Sequence, residues 1–179
     1  DADAAIALHA LVAALPGRVR VEVGSEARPG DEYRTRTLRG LLLQAAALLA
    51  EDEAAVQRAR DLLEQFLAHA PSLDPSLASP ALVVAATLGD AALHDRLGER
   101  FRTADNPQDR ERLLLALSRF RDPEALGRTL ALSLSGDVRT QDAPYLLRET
   151  IANRDNGPAA WAFVTENWAE IEKRFPANS

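Results

Sequence analysis

The chain has 179 residues, 46% apolar and 27% charged, with 9 glycines and 10 prolines, a composition that excludes collagen, low-complexity disorder and a linker. Its 21 basic residues against 27 acidic give a net charge of −6, so no general field draws it to phosphate backbones or anionic lipid, and no nucleic-acid partner is expected. Cysteine is absent, which removes disulfides, thiolate nucleophiles and zinc-thiolate sites and leaves either redox compartment open.

Helix signals recur from end to end. Asp1 to Leu15 reads as a helix ended by Pro16 and Gly17. Val19 to Val23 alternates like a strand, but it is short and runs into Gly24, Pro29 and Gly30, so it reads as an irregular connector. Leu38, Leu41, Leu42, Ala45 and Leu49 then place apolar residues on one helical face. The longest apolar run, Leu41 to Ala50, is about half a bilayer span and carries Gln44, so no membrane insertion is expected.

Helices follow over Glu53 to Ala68, Pro80 to Leu88, Asp90 to Arg102, Pro107 to Phe120 and Pro123 to Leu134. Ser79, Asn106 and Asp122 each precede a proline, which puts a side-chain acceptor at N-cap and proline at the first helical position. Gly89 and Gly136 stand where C-terminal caps are expected. The short connections imply antiparallel neighbours. Asp52-Glu-Ala-Ala-Val, Gly89-Asp-Ala-Ala-Leu and Asp122-Pro-Glu-Ala-Leu are faintly self-similar, with Leu93 lying 37 residues after Val56 and Leu126 lying 33 after Leu93. That period suits a two-helix unit whose apolar face is buried by stacking on the next, the logic of HEAT, armadillo or tetratricopeptide solenoids; an irregular bundle of amphipathic helices is the alternative.

In the last forty residues, Asp137 or Thr140 can cap a helix beginning near Gln141 and running to about Asn153, with Pro144 tolerated in its first turn. After Asn156, Gly157 and Pro158, the residues Trp161, Val164, Trp168, Ile171 and Phe175 fall at steps of 3, 4, 3 and 4. Such a stripe is expected to dock a terminal helix through large buried surfaces; a stacking platform for a ligand is the alternative.

Chemistry is sparse. His9, His69 and His94 are isolated, and no His-Glu-x-x-His, Gly-x-Ser-x-Gly, Walker loop or Gly-x-Gly-x-x-Gly occurs. His94 and Asp95, adjacent on a helix, point to different sides and read as a solvated surface pair. Asp31 and Glu32, and Glu51, Asp52 and Glu53, sit at helix starts and read as caps. Arg34, Arg36 and Arg39, and Arg110, Arg112, Arg119 and Arg121, lie among acids and read as solvated, salt-bridged faces. One constellation stands apart: Gly136-Asp-Val-Arg-Thr-Gln-Asp-Ala-Pro gathers Arg139, Gln141 and Asp142 around a turn into a helix. Either Arg139 and Asp142 hold the turn while Gln141 satisfies free amides, or Arg139 offers its planar guanidinium to a ligand carboxylate.

These residues carry a resemblance. Val138-Arg139-x-Gln141-Asp142-x-Pro144, then Asn153, then Ala160-Trp161-x-Phe163-Val164-x-x-Asn167-Trp168, closing with Arg174-Phe175, resembles the C-terminus of the gluzincin zinc aminopeptidases, the group of the puromycin-sensitive and endoplasmic-reticulum enzymes and aminopeptidase N. The match is specific from about Leu132 to Phe175, with Asp142, Trp161, Asn167 and Trp168 as its structural motif. Upstream it is carried more loosely by Leu38-Arg39, by Arg58-Ala59-Arg60 leading to Phe66, and by Leu113 to Phe120 ahead of Asp122-Pro123.

The resemblance implies an all-α domain of stacked antiparallel helix pairs forming a curved, HEAT/armadillo-like superhelix over a thermolysin-like catalytic domain. In that family a zinc-bound water attacks the first peptide bond with a glutamate of His-Glu-x-x-His, and a Gly-x-Met-x-Asn segment grips the free amino terminus. Neither motif is in this chain, so no catalytic residue, metal ligand or cofactor is carried over; zinc belongs to the catalytic domain. The implied partners are that domain and peptide substrates, with Arg139 and Gln141 as the candidate substrate contacts.

The chain lacks methionine, so Asp1 is not a translation start, and Lys173 is the only lysine among abundant arginines, the usage of a GC-rich bacterium. Residues 1–179 are therefore expected to be one helical-repeat domain, a C-terminal piece of a larger bacterial aminopeptidase of cytoplasm or periplasm, inactive alone. Its rivals are a free-standing helical scaffold that binds a peptide or protein, and a self-contained hydrolase, for which no nucleophile, base and oxyanion group assemble.

Overall fold

A computed structural model describes residues 24, 28, 30–68 and 73–175. The expected helix Asp1 to Leu15, the connector Val19 to Val23, and His9 and His69 lie outside the described residues. Nine α-helices and no strand are found among the described residues: α1 Tyr33–Leu48, α2 Glu53–Leu67, α3 Pro75–Thr87, α4 Ala91–Arg102, α5 Pro107–Leu117, α6 Pro123–Ser133, α7 Ala143–Ile151, α8 Gly157–Glu166 and α9 Trp168–Arg174. The fold is all-α. The chain divides into two compact units, Asp1–Ala85 and Ala86–Ser179.

Local chemistry sets the helix starts. The Asp52 carboxylate accepts the amides of Ala54 and Ala55 at 2.9 and 3.3 Å, Asp90 that of Leu93 at 2.9 Å, and Asp122 that of Ala125 at 2.8 Å. These three aspartates belong to the three self-similar segments, so the period marks the capped starts of α2, α4 and α6, one per helix pair. Asn106 caps α5 through the amide of Gln108 at 2.8 Å.

Two expected boundaries move. Ser79 does not cap α3: Asp74 does so a turn earlier, accepting both the amide and the hydroxyl of Ser76 at 2.9 and 2.8 Å, and Pro80 lies inside the helix. Gly89 and Gly136 are not left-handed caps, because positive φ among the described residues occurs at Glu51, Gly24 and Gly30. The ends of α3 and α6 close instead through tight three-residue bonds, Gly89 to Ala86, Leu134 to Ala131 and Ser135 to Leu132.

In the first unit small residues make the packing. Ala46, Ala47, Ala55, Val56, Ala59 and Val84 form one cluster, and Leu62, Leu77 and Ala81 another. A Cβ on Gly40 would stand 2.6 Å from Cγ of Pro80 and 3.1 Å from the Ser76 carbonyl, so glycine there lets α1 lie against α3. This reverses the expected face of α1. Arg39, Gly40, Ala46 and Ala47 are buried, while Leu38, Leu41 and Leu49 are exposed. Between Leu41 and Ala50 every residue but Gln44 is apolar, so periodicity cannot select a side; close approach of the backbones does.

Arg39 is a correction too. It is 3% exposed rather than solvated, and donates to Asp31 at 2.6 Å and to the Gly24 carbonyl at 3.2 Å. Asp31 is thus its partner rather than a helix cap. The Arg28 amide, and then Arg39, hold the Asp31 carboxyl below the usual carboxylate range.

In the second unit consecutive helices pack on one another from α4 to α9, and α4 also packs on α6, α5 on α7 and α6 on α8. That is the contact pattern of stacked helix pairs. Leu97, Phe101, Leu113, Leu117, Phe120 and Leu146 fill the interior. The corner between α7 and α8 clamps the corner between α5 and α6. Asn153 donates to the carbonyls of Ser118 and Phe120, and Asn156 to those of Phe120 and Arg121, all at 3.0 Å. Gly157 follows, where a Cβ would stand 2.4 Å from the Ile151 carbonyl.

The terminal stripe is split. Val164 and Ile171 are buried against Leu126, Leu130 and Leu147, but Trp161 and Trp168 are 57% and 55% exposed. The helix breaks at Asn167, whose amide and side-chain nitrogen both donate to the Phe163 carbonyl, at 3.0 and 2.8 Å, while its own carbonyl starts α9. The break resets the helical phase between α8 and α9. Arg174 then caps the end of α6, donating to the carbonyls of Leu134 and Ser135.

Candidate functional site

The constellation around Arg139 lies at the mouth of a groove of about 590 Å³ between α5 and α7. Leu114 and Leu115 line it from α5, Leu146 and Tyr145 from α7. Its walls follow from helical spacing: Asp142, Tyr145, Leu146 and Glu149 recur at three- and four-residue steps and so share one side of α7. The turn before α7 brings in Arg139, and the Asn106 cap with Pro107 fixes where α5 begins.

Four arginines and three acids ring this apolar floor, and the four arginines, Asp142 and Glu149 have partners within the chain. Arg139 donates to Asp142 at 2.6 Å. Glu149, only 18% exposed, binds Arg119 with one oxygen and Arg148 with the other, each at 2.7 Å. Arg110 lies 4.2 Å over the ring of Phe101 and donates to the carbonyls of Phe101 and Asp137 at 3.3 and 2.6 Å. Arg148 stacks beside Tyr145 at 5.4 Å. Of the second arginine cluster of the sequence, Arg119 pairs with Glu149, and Arg112 with Asp109 and Arg121 with Asp155, both at 2.8 Å, whereas Arg110 is held by carbonyls and a ring.

Of the two sequence candidates, Arg139 lines the groove with its side chain 60% exposed, whereas Gln141 is exposed and does not line it. Arg139 and Asp142 hold the turn together, and Arg139 still offers its guanidinium to the opening. Asp142 lines the groove, while Trp161 and Asn167 do not; Trp168 lines a second, apolar groove of about 340 Å³ with Pro144, Leu147, Val164 and Phe175. Sequence reasoning missed Tyr145, Arg148 and Glu149. Their spacing from Asp142 was the available signal, but a Tyr, an Arg and a Glu on a short helix read as ordinary surface.

Among the described residues no three His, Asp or Glu side chains come together as a metal site. His94, expected on the surface, is 5% exposed and bonded to Thr129. Among the described residues no helix is long and apolar enough to cross a membrane.

The model of the ERAP1-like C-terminal domain matches residues 1–179. Among curated proteins the chain is 30% identical over 159 residues to "Aminopeptidase M1-A" of Oryza sativa subsp. japonica, covering 86% of this chain and 18% of that protein. It is 25% identical over 155 residues to "Aminopeptidase 2, mitochondrial" of Saccharomyces cerevisiae, covering 86% and 16%. It is 30% identical over 156 residues to "Leucyl aminopeptidase" of Saccharolobus solfataricus, covering 87% and 18%. The chain spans less than a fifth of the length of each. With its described helices, its paired packing and a match along its whole length, this chain belongs to the ERAP1-like C-terminal domain family.

Proposed function

We propose that this chain is the non-catalytic C-terminal domain of a bacterial gluzincin zinc aminopeptidase, and that it helps enclose the active-site chamber and holds the distal part of the peptide substrate. The residues of the sequence form one HEAT-like domain working with the catalytic domain of the same polypeptide. That other domain carries the zinc and the bond cleavage.

The observation that supports this reading is the groove between α5 and α7. Its leucine floor accepts apolar side chains, and the arginines of its rim are held by internal partners, so it suits holding an extended chain rather than activating a bond. Arg139, with its side chain 60% exposed at the rim, offers a guanidinium that matches a carboxylate of the peptide.

Purified alone, the chain is expected to bind no stoichiometric zinc and to release no amino acid from aminoacyl substrates. Turnover abolished by a chelator would overturn the proposal.

A further inference from the structure

His94 of α4 stands buried at the meeting of three segments. Its Nε2 lies 2.9 Å from the Thr129 hydroxyl of α6, and that hydroxyl lies 2.8 Å from the Leu117 carbonyl at the end of α5. The carbonyl can only accept, so the single hydroxyl proton of Thr129 is committed to it, and Thr129 must accept from His94. Nε2 therefore carries the proton and Nδ1 is bare. The ring edge meets Phe120 at a centroid distance of 5.2 Å.

Among the described residues Nδ1 has no hydrogen-bond partner, and Oδ1 of Asp95 is 3.9 Å away. Asp95 is bound to Arg128 of α6, which also holds Glu124 at 2.7 Å. The charged groups around the imidazole are thus Asp95 and Arg102 on α4 and Arg128 on α6, while the end of α5 presents the Leu117 carbonyl and the Phe120 ring. One carboxylate, already shared with Arg128, faces an imidazole ringed by two guanidiniums and apolar surface.

We propose that His94 is an acid-sensitive latch: as the neutral Nε2–H tautomer it pins α4 to the α5–α6 corner, and a proton taken up at Nδ1 weakens that attachment. Burial drives the imidazole below its ordinary value, with Arg128 and Arg102 adding to the effect and Asp95 opposing it. The sign follows from linkage. The unfolded chain, with histidine near its ordinary pKa of about 6.5, binds the proton before the folded chain does, so stability is complete above that pH. It falls as the pH drops from there towards the lower folded value.

The test is nitrogen NMR of the histidine rings in the full chain, with His94→Gln to assign the signal, joined to urea unfolding of both proteins at about pH 7.5 and about pH 5. The expected spectrum shows His94 protonated at Nε2 alone and titrating below an ordinary histidine. The wild type should lose more of its urea midpoint on acidification than His94→Gln does, since glutamine can donate to Thr129 but does not titrate. An Nδ1–H tautomer, or titration at or above the ordinary value, would overturn the latch, and so would equal loss of midpoint in both proteins. Should His94→Gln fail to fold, the wild-type ring spectra still decide.

Discussion

The two units are held by opposite means. Around α1 the packing rests on missing atoms: Gly40 faces Pro80, and alanines at 46, 47, 55 and 59 let helices close in. Around the α5–α6 corner it rests on polar atoms that must be answered, with Asn153 and Asn156 spanning carbonyls that no helix satisfies. The first kind is weakened by adding a methyl group, the second by removing an amide.

The largest effect is expected at the polar corner. Asn153→Ala removes two donated bonds and leaves the Ser118 carbonyl without that partner in a buried site, at a cost of about 3 kcal/mol read by urea unfolding. A loss below about 1 kcal/mol would mean that the clamp is incidental. Gly40→Ala comes next, with about 2 kcal/mol lost because the new Cβ must displace the Pro80 ring. The comparison is sharpened by Gly127→Ala on α6, where a Cβ meets nothing within 4 Å. There the methyl group should raise stability by about 0.5 to 1 kcal/mol through helix propensity alone. Equal effects at Gly40 and Gly127 would break the distinction between required and dispensable glycines.

The same contrast explains what the sequence revealed. Caps are local chemistry, so Asp52, Asn106 and Asp122 announce the starts of α2, α5 and α6, and the repeat they punctuate announces helix pairs. Pro80 misled because Asp74 offers a competing cap one turn earlier. The buried side of α1 was illegible because a nearly uniform apolar run carries no phase. His94 and Arg39 were misplaced because burial of a polar group depends on partners distant in sequence, Thr129 for one and Gly24 for the other. The site was half legible: the turn with Arg139 and Asp142 stood out, whereas the facing wall on α5 came only from packing.

A peptide-holding wall and an inert wall differ most at Arg139. In the intact enzyme, Arg139→Ala should lower kcat/KM for long peptides by up to about tenfold, the scale of one charge-assisted hydrogen bond, while hydrolysis of a one-residue chromogenic substrate stays unchanged. Equal losses on both substrates, or none on either, would contradict a distal substrate contact in this groove.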